Sequence, residues 1–205
     1  MKSSEREIEG KFYLPHLEDI RKRVLDRGGH LLVQRLFERN LRFDTHDDRL
    51  RANHEVLRLR QDDRITLTYK RSHSTEERTE AELEVDDFHT ARSLLQALGY
   101  KVIFIYEKYR ETFTLGQTKV MLDELPFGCF VEIEGPSLVK IEQAAISLGL
   151  EWEDRIKSSY LNLFYTLRQH LNLPFADATF DNFASFPTIE PTDLGLDDFR
   201  RIQQE

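Results

Sequence analysis

The chain has 205 residues, 40% hydrophobic and 32% charged, with Lys+Arg 29 against Asp+Glu 37 and a net charge of −8. That is enough for one domain with its own core, too hydrophobic for a wholly disordered chain, and short of the basic field of a duplex-coating nucleic-acid binder. One cysteine, Cys129, excludes an internal disulfide and a cysteine-cluster zinc site. The opening MKSSEREIEGK lacks the apolar run of a signal peptide, and the longest apolar stretch, 102–106, is too short to span a bilayer. The expectation is a cytoplasmic protein without membrane or nucleic-acid partners.

In chain order, alternation predicts a strand over 5–12 with Glu5, Glu7, Glu9 and Lys11 on one face. A helix follows from about Pro15, with Leu17, Ile20, Val24 and Leu25 on one side and Gly28-Gly29 at its end. Extended segments are expected at 31–43, 55–60 and 65–70, separated by the turn-rich stretches 44–48 and 61–63, with a polar loop over 72–77. A strand at 79–85 sets Glu80, Glu82 and Glu84 against Ala81, Leu83 and Val85. A helix capped by Asp86 or Asp87 then carries Phe88, Ala91, Leu94, Leu95 and Leu98 to Gly99.

Further strands are predicted at 102–113, 118–123 and 130–134, then a helix capped by Ser137 and ended by Gly149, and a last helix over 156–171. Glu-x-Glu, helix and glycine therefore recur three times, at Glu7/Glu9, Glu82/Glu84 and Glu132/Glu134, too few and too irregular for a solenoid. After Asn172 the pattern breaks: Pro174, Pro187 and Pro191 interrupt a segment holding Phe175, Phe180, Phe183 and Phe186, and a short helix is expected at 197–204. The expected organisation is a domain over 1–171 and a partly irregular extension over 172–205, draped on its own domain rather than reaching for a partner.

The strands share one habit. Arg58 and Arg60 oppose Leu57 and Leu59; Lys108 and Arg110 oppose Tyr109; Lys119 and Asp123 oppose Val120 and Leu122; Glu132 and Glu134 oppose Val131 and Ile133. A solvated sheet face explains any one of these, but solvated faces are normally mixed with Ser, Asn, Gln and Thr, whereas here charge follows charge. With helices covering the apolar face, the charged face turns inward if the sheet closes into a barrel. Buried charges of both signs persist only when paired or compensated by bound ions. A polyanion with a divalent metal compensates both: the bases grip phosphate oxygens, and the carboxylates, as hard oxygen donors, suit Mg2+ or Mn2+. No phosphate-cradling glycine loop is present, the histidines lack ligand spacing, and Cys129 in its Phe-Gly-Cys-Phe turn reads as packing rather than nucleophile.

These residues resemble the CYTH superfamily, the triphosphate tunnel metalloenzymes. The resemblance rests on Glu7-Ile8-Glu9-Gly10-Lys11 followed in order by Phe43-Asp44-Thr45, Leu57-Arg58-Leu59-Arg60, Lys70, Arg78-x-Glu80-x-Glu82, Glu107-Lys108-x-Arg110, Leu122-Asp123, Phe130-x-Glu132-Ile133-Glu134 and Lys157-Ser158-Ser159-Tyr160. It implies an α+β fold, a closed eight-stranded antiparallel β-barrel around a tunnel with helices packed outside. It further implies that Lys11, Arg58, Arg60, Lys70, Arg78, Lys108 and Arg110 hold a triphosphate, with Lys157 on a helix that plugs the tunnel. Glu7, Glu9, Glu132 and Glu134 would be metal ligands, supported by Glu80, Glu82 and Asp123, with Lys70, Glu7 and Glu9 closest to the chemistry. The implied activity is metal-dependent triphosphate hydrolysis. The alternatives are a class IV adenylyl cyclase acting on ATP and, from another class, a non-catalytic polyphosphate or nucleotide-binding module; the assembly is a monomer or homodimer. One departure stands out: Arg42 occupies a place where the family commonly carries Tyr, the residue that in thiamine triphosphatases works with the lysine matching Lys70.

Overall fold

The computed structural model describes residues 8–72 and 78–196. Eight strands form one antiparallel sheet: β1 (Ile8–Leu14), β2 (His30–Asp44), β3 (Glu55–Gln61), β4 (Ile65–Ser72), β5 (Arg78–Glu84), β6 (Lys101–Leu115), β7 (Thr118–Leu125) and β8 (Gly128–Gly135). The helices are α1 (Glu18–Asp26), α2 (Arg49–Ala52), α3 (Phe88–Ala97), α4 (Leu138–Ser147), α5 (Tyr160–Leu171) and α6 (Phe180–Phe183). Local chemistry sets their ends. The side chains of Asp87, Ser137 and Ser159 accept from the backbone N–H of Thr90, Lys140 and Asn162, capping α3, α4 and α5. Gly99 and Gly149 close α3 and α4 with φ of 93° and 73°, a region that strains any residue with a Cβ. The predicted last helix begins late, at Tyr160, because 152–154 forms a 3-10 turn and Ile156 joins a strand. The short helix expected at 197–204 and the polar loop over 73–77 lie outside the described residues.

The expected closed barrel is corrected. The strand order is β1-β8-β7-β6-β2-β3-β4-β5, an open sheet with β1 and β5 at its edges, and among the described residues no register joins them. The outer edge of β1 is met instead by the segment before α5: Ile156 N–H donates to the Lys11 carbonyl at 2.7 Å, in an isolated bridge. At the other edge, β5 leaves Leu83 54% exposed. Alternation alone shows that a sheet is two-faced; it does not fix whether the terminal strands find one another.

The two faces are as patterned. The apolar face carries α1 and α4 over β1, β7 and β8, around Phe12, Val24, Ile133 and Ile141. Further along it carries α3 over β2 and β3, around Leu41, Leu59, Phe88 and Leu95. A third cluster lies on the opposite face, where α5 packs Tyr160, Phe164 and Leu167 against Tyr13, Phe104, Tyr106 and Phe130. The residues after α5 belong to it: Leu173, Ala178, Phe183 and Leu194 are buried there.

A length mismatch explains how that segment is held. β6 pairs with β2 over its whole length but with β7 only from Tyr109 onward. Its backbone at 105–107 would be unpaired on that side. The 177–180 segment supplies partners: Asp177 accepts from Ile105 N–H, Ala178 N–H donates to the Ile105 carbonyl, Glu107 N–H donates to the Ala178 carbonyl, and Phe180 N–H donates to the Glu107 carboxylate. Phe183 then stacks edge-on against Phe164 and Phe175, at 6.4 and 5.1 Å between centroids. Phe183→Ala is therefore expected to cost about 3 kcal/mol, as for a large core side chain, read as a lower urea midpoint at unchanged m. An unaltered midpoint would show that residues 172–196 lie on the surface without supporting the domain.

Candidate functional site

Cross-strand register places the charged side chains on one face. Lys11 stands opposite Glu132 and Glu9 opposite Glu134; Arg110 opposite Asp123; Glu38 opposite Lys108; Arg42 opposite Arg58 and Asn40 opposite Arg60; Thr68 opposite Glu82 and Lys70 opposite Glu80. This face divides into two halves of different electrostatic character.

The half built by β1, β8, β7 and β6 is neutralised internally. Asp123 is fully buried and holds both bases of β6: Arg110 Nε donates to Oδ1 at 2.6 Å and Lys108 Nζ to Oδ2 at 3.0 Å. Tyr160, at the start of α5, donates its hydroxyl to Asp123 Oδ2 at 2.8 Å. Arg110 also pairs with Glu132, which lies 3.4 Å from Lys11 Nζ. Lys11 in turn donates to the Ser158 carbonyl at 3.3 Å and sits 4.1 Å from the centre of the Tyr160 ring. Glu38 closes the network, 3.5 Å from Lys108.

The proton affinities follow. Burial alone would raise the Glu132 pKa, but Arg110, Lys11 and Lys108 outweigh it and hold the carboxyl well below its ordinary range. Burial is likewise outweighed at Glu38, by Lys108 and Arg110 foremost, and its pKa is lowered. Burial would lower the Arg110 pKa, yet Asp123 and Glu132 raise it, so the guanidinium stays charged. Tyr160 is pushed up, by burial first and then by Asp123 and Glu132, and keeps its proton.

The half built by β2, β3 and β4 is different. Asn40 is fully buried, and neither its amide nitrogen nor its oxygen has a hydrogen-bond partner. The buried Nε atoms of Arg42, Arg58 and Arg60 and the hydroxyl of Thr66 also lack one. Arg60 Nε is 3.0 Å from Asp62 Oδ2, an ion pair by distance whose N–H is not aligned as a hydrogen bond. Arg58 donates to Thr68 at 3.4 Å, whose hydroxyl donates to Glu82 at 2.9 Å, and the Arg58 side chain also hydrogen-bonds Tyr106. At the margin Lys70 pairs with Glu80 at 2.8 Å. A buried donor without an acceptor costs about 1–3 kcal/mol, so a contiguous row of them is built for a ligand rich in acceptors.

The sequence-derived residues fall into place unevenly. Lys11, Lys108, Arg110, Asp123 and Glu132 form one network; Arg58, Arg60, Lys70, Glu80 and Glu82 lie across the other half. Glu7 lies outside the described residues, and Arg78 opens β5 opposite Ser72. Lys157 stands exposed on the connection before α5, not on the helix. Sequence reasoning missed Glu38, Asn40 and Thr66, and gave Tyr160 no role. Alternation through 38, 40 and 42 would have found the first two.

Carboxylate oxygens suit a hard divalent cation, but among the described residues no group of three potential ligands converges. Asp123 and Glu132, implied as ligands, are occupied by bases in this arrangement. Glu9 and Glu134 are cross-strand partners nearer the solvent-facing end, with Glu134 3.9 Å from Lys119, and their oxygens are of the donor type that a hard divalent cation takes.

The ion-paired half makes a stability prediction. Glu132→Gln leaves Arg110 and Lys11 short of a counter-charge and is expected to cost about 3 kcal/mol. In the wild type, unfolded glutamates take up protons at about pH 4.3, above the depressed folded values of Glu38 and Glu132. The unfolded state therefore binds protons first, and their contribution is complete above about pH 5 and lost as the pH falls below it. Urea midpoints of both proteins from pH 7 to pH 3 check this; parallel curves would show that Glu132 does not carry the acid sensitivity.

Comparison with known proteins agrees with this geometry. A Methanocaldococcus jannaschii protein described as a candidate adenylate cyclase is 24% identical over 153 residues, covering 68% of this chain and 87% of that one. A Vibrio parahaemolyticus structure, also described as a candidate adenylate cyclase, superposes with a TM-score of 0.70 at 21% identity, over 77% of this chain and 97% of that one. A Hippeastrum structure, described as a candidate adenylyl cyclase with dominant triphosphatase activity, gives 0.58 at 21% identity, over 78% and 95%. The structural likenesses establish shared fold. The CYTH domain model matches residues 5–145, well over half of the chain, and the chain accordingly belongs to the CYTH family.

Proposed function

We propose that this protein binds a linear triphosphate along the charged face and hydrolyses it with a divalent cation. The observation that carries this reading is the row of buried polar atoms without a hydrogen-bond partner, the Nε–H groups of Arg42, Arg58 and Arg60, the Asn40 amide and the Thr66 hydroxyl, beside a half-sheet whose central charges around Asp123 are already paired. A triphosphate offers many acceptor oxygens on a flexible chain, and guanidinium groups bind such oxygens through paired N–H donors.

The residues divide the work. Arg58 and Arg60 hold the phosphate chain, with Lys70 at the margin. Asp123, itself gripped by Tyr160, fixes Arg110 and Lys108 so that their remaining donors meet the chain without rearrangement. Glu9 and Glu134 would hold Mg2+ or Mn2+. When bound, the cation supplies neutralisation of phosphate oxygens and a more acidic water. Support for hydrolysis also comes from the triphosphatase activity ascribed to the Hippeastrum protein. The cyclase reading rests on the descriptions of the other relatives; on it the same grip holds ATP and pyrophosphate leaves as cyclic AMP forms.

Purified protein incubated with tripolyphosphate, thiamine triphosphate or ATP, with Mg2+ or Mn2+, separates these readings by release of phosphate, pyrophosphate and cyclic AMP. The expected outcome is metal-dependent cleavage of tripolyphosphate to pyrophosphate and phosphate, no cyclic AMP, and a loss of roughly tenfold or more in Arg58→Gln, as for removal of one charged hydrogen bond. Cyclic AMP with pyrophosphate would replace hydrolysis by cyclisation. No turnover of any substrate would leave a binding module.

A further inference from the structure

Arg42 is not accounted for by a site made only of Arg58 and Arg60. It projects from β2 beside Arg58 and opposite Phe104 of β6. Phe104 is fully buried, stacks on Tyr106 at 5.4 Å between centroids, and packs against Phe164 and Tyr165 of α5 at 5.2 and 6.5 Å. Past Arg42 the face is thus filled with aromatic side chains, and Ala178 seals it by pairing with Tyr106. Fully buried Asn40 borders the same corner opposite Tyr106, with both ends of its amide unsatisfied. At the other extreme Glu9 is exposed and the Lys119 side chain is 56% exposed.

The fold works against Arg42 as it stands. Burial lowers its pKa, Tyr106 offsets part of that, the repulsion of Arg58 lowers it further, and Tyr165 and Asp44 do not restore it. Its buried Nε–H has no acceptor. A charge held this way, beside packed aromatic rings at the corner of a basic strip, is further stabilised by an anion that comes to it.

We infer that Arg42 and Asn40 form a subsite for the terminal phosphoryl group of the substrate, so that a phosphate chain lies with a free, unesterified end at this corner and any organic substituent toward Glu9 and Lys119. The inference rests on the triphosphate reading above and adds polarity to it. The packed rings of Phe104, Phe164 and Tyr165 border this corner, and a second ester there removes a charged oxygen from the guanidinium. The substrate class is a triphosphate with at least one free end, inorganic or singly esterified. A triphosphate capped by nucleosides at both ends is excluded.

Calorimetric titration in the presence of a chelator, which prevents metal-dependent turnover, tests this with tripolyphosphate, ATP and diadenosine triphosphate. The wild type is expected to bind the first two at least tenfold more tightly than the third. Arg42→Gln, which keeps the length of the side chain and removes the charge, is expected to weaken tripolyphosphate and ATP about tenfold while leaving diadenosine triphosphate within about twofold. Arg58→Gln is expected to weaken all three, and Arg42→Lys to recover part of the loss. The melting temperature of ligand-free Arg42→Gln should equal or exceed that of the wild type, which sets aside misfolding as the cause. If Arg42→Gln weakens all three ligands equally or none of them, the terminal subsite is overturned while the triphosphate reading stands. If the wild type binds neither tripolyphosphate nor ATP, both fall together.

Discussion

Side-by-side arginines on a sheet, each with its Nε–H buried and without a hydrogen-bond acceptor, impose the constraint around which this molecule is organised. Arg42 and Arg58 face each other across β2 and β3, Arg60 is the next residue inward, and the Nε–H of each is buried without an acceptor. Mutual repulsion and lost hydration both oppose such an arrangement. A domain pays for it only with stability gained elsewhere, and here that comes from three aromatic and aliphatic clusters placed on both faces of the sheet. The energetic tension sits at the site, as expected where a ligand is meant to relieve it.

The other half of the face shows the contrasting solution. Around Asp123 each base has a carboxylate and each carboxylate a base, with the Tyr160 hydroxyl completing the oxygen that Lys108 and Arg110 share. Such a network is worth little as net stability, because desolvation consumes most of the attraction, but it fixes the direction of Lys108 and Arg110 before any ligand arrives. Pre-set donors need no reorganisation when charge develops on a phosphate. A satisfied half that positions and an unsatisfied half that binds together describe one site. The segment after α5 contributes by pairing the open stretch of β6 and closing the corner beside Arg42.

Much of this was legible in the residue pattern. Alternation at 57–60 in β3, around Lys119 and Asp123 in β7 and at 131–134 in β8 separated charged from apolar positions, and the capping residues Asp87 and Ser137 with Gly99 and Gly149 marked two helices. Closure was not legible, because the period of a strand says nothing about which edges meet; Ile156 at the edge of β1 is a contact between distant residues. The pairing of Asp123 and Glu132 with Lys11, Lys108 and Arg110 was hidden for the same reason. Lys11, Lys108 and Arg110 come from strands nearly a hundred residues apart, and only the register brings them to those carboxylates. The role of Phe175, Phe183 and Phe186 depends on β6 outrunning β7, a mismatch in length that composition does not reveal.

The central claim is that the anion is seated on the unsatisfied half of the face, while the ion-paired half keeps its own pairs and offers only its remaining donors. A crystal of the protein soaked in selenate, whose anomalous scattering locates the ion independently of the protein, tests this directly. The account predicts an anomalous peak within hydrogen-bond distance of the Arg58 and Arg60 guanidinium groups, with Arg110 still bound to Asp123. A peak seated only between Lys11 and Arg110, with the Asp123 and Glu132 pairs broken to admit it, would contradict the account.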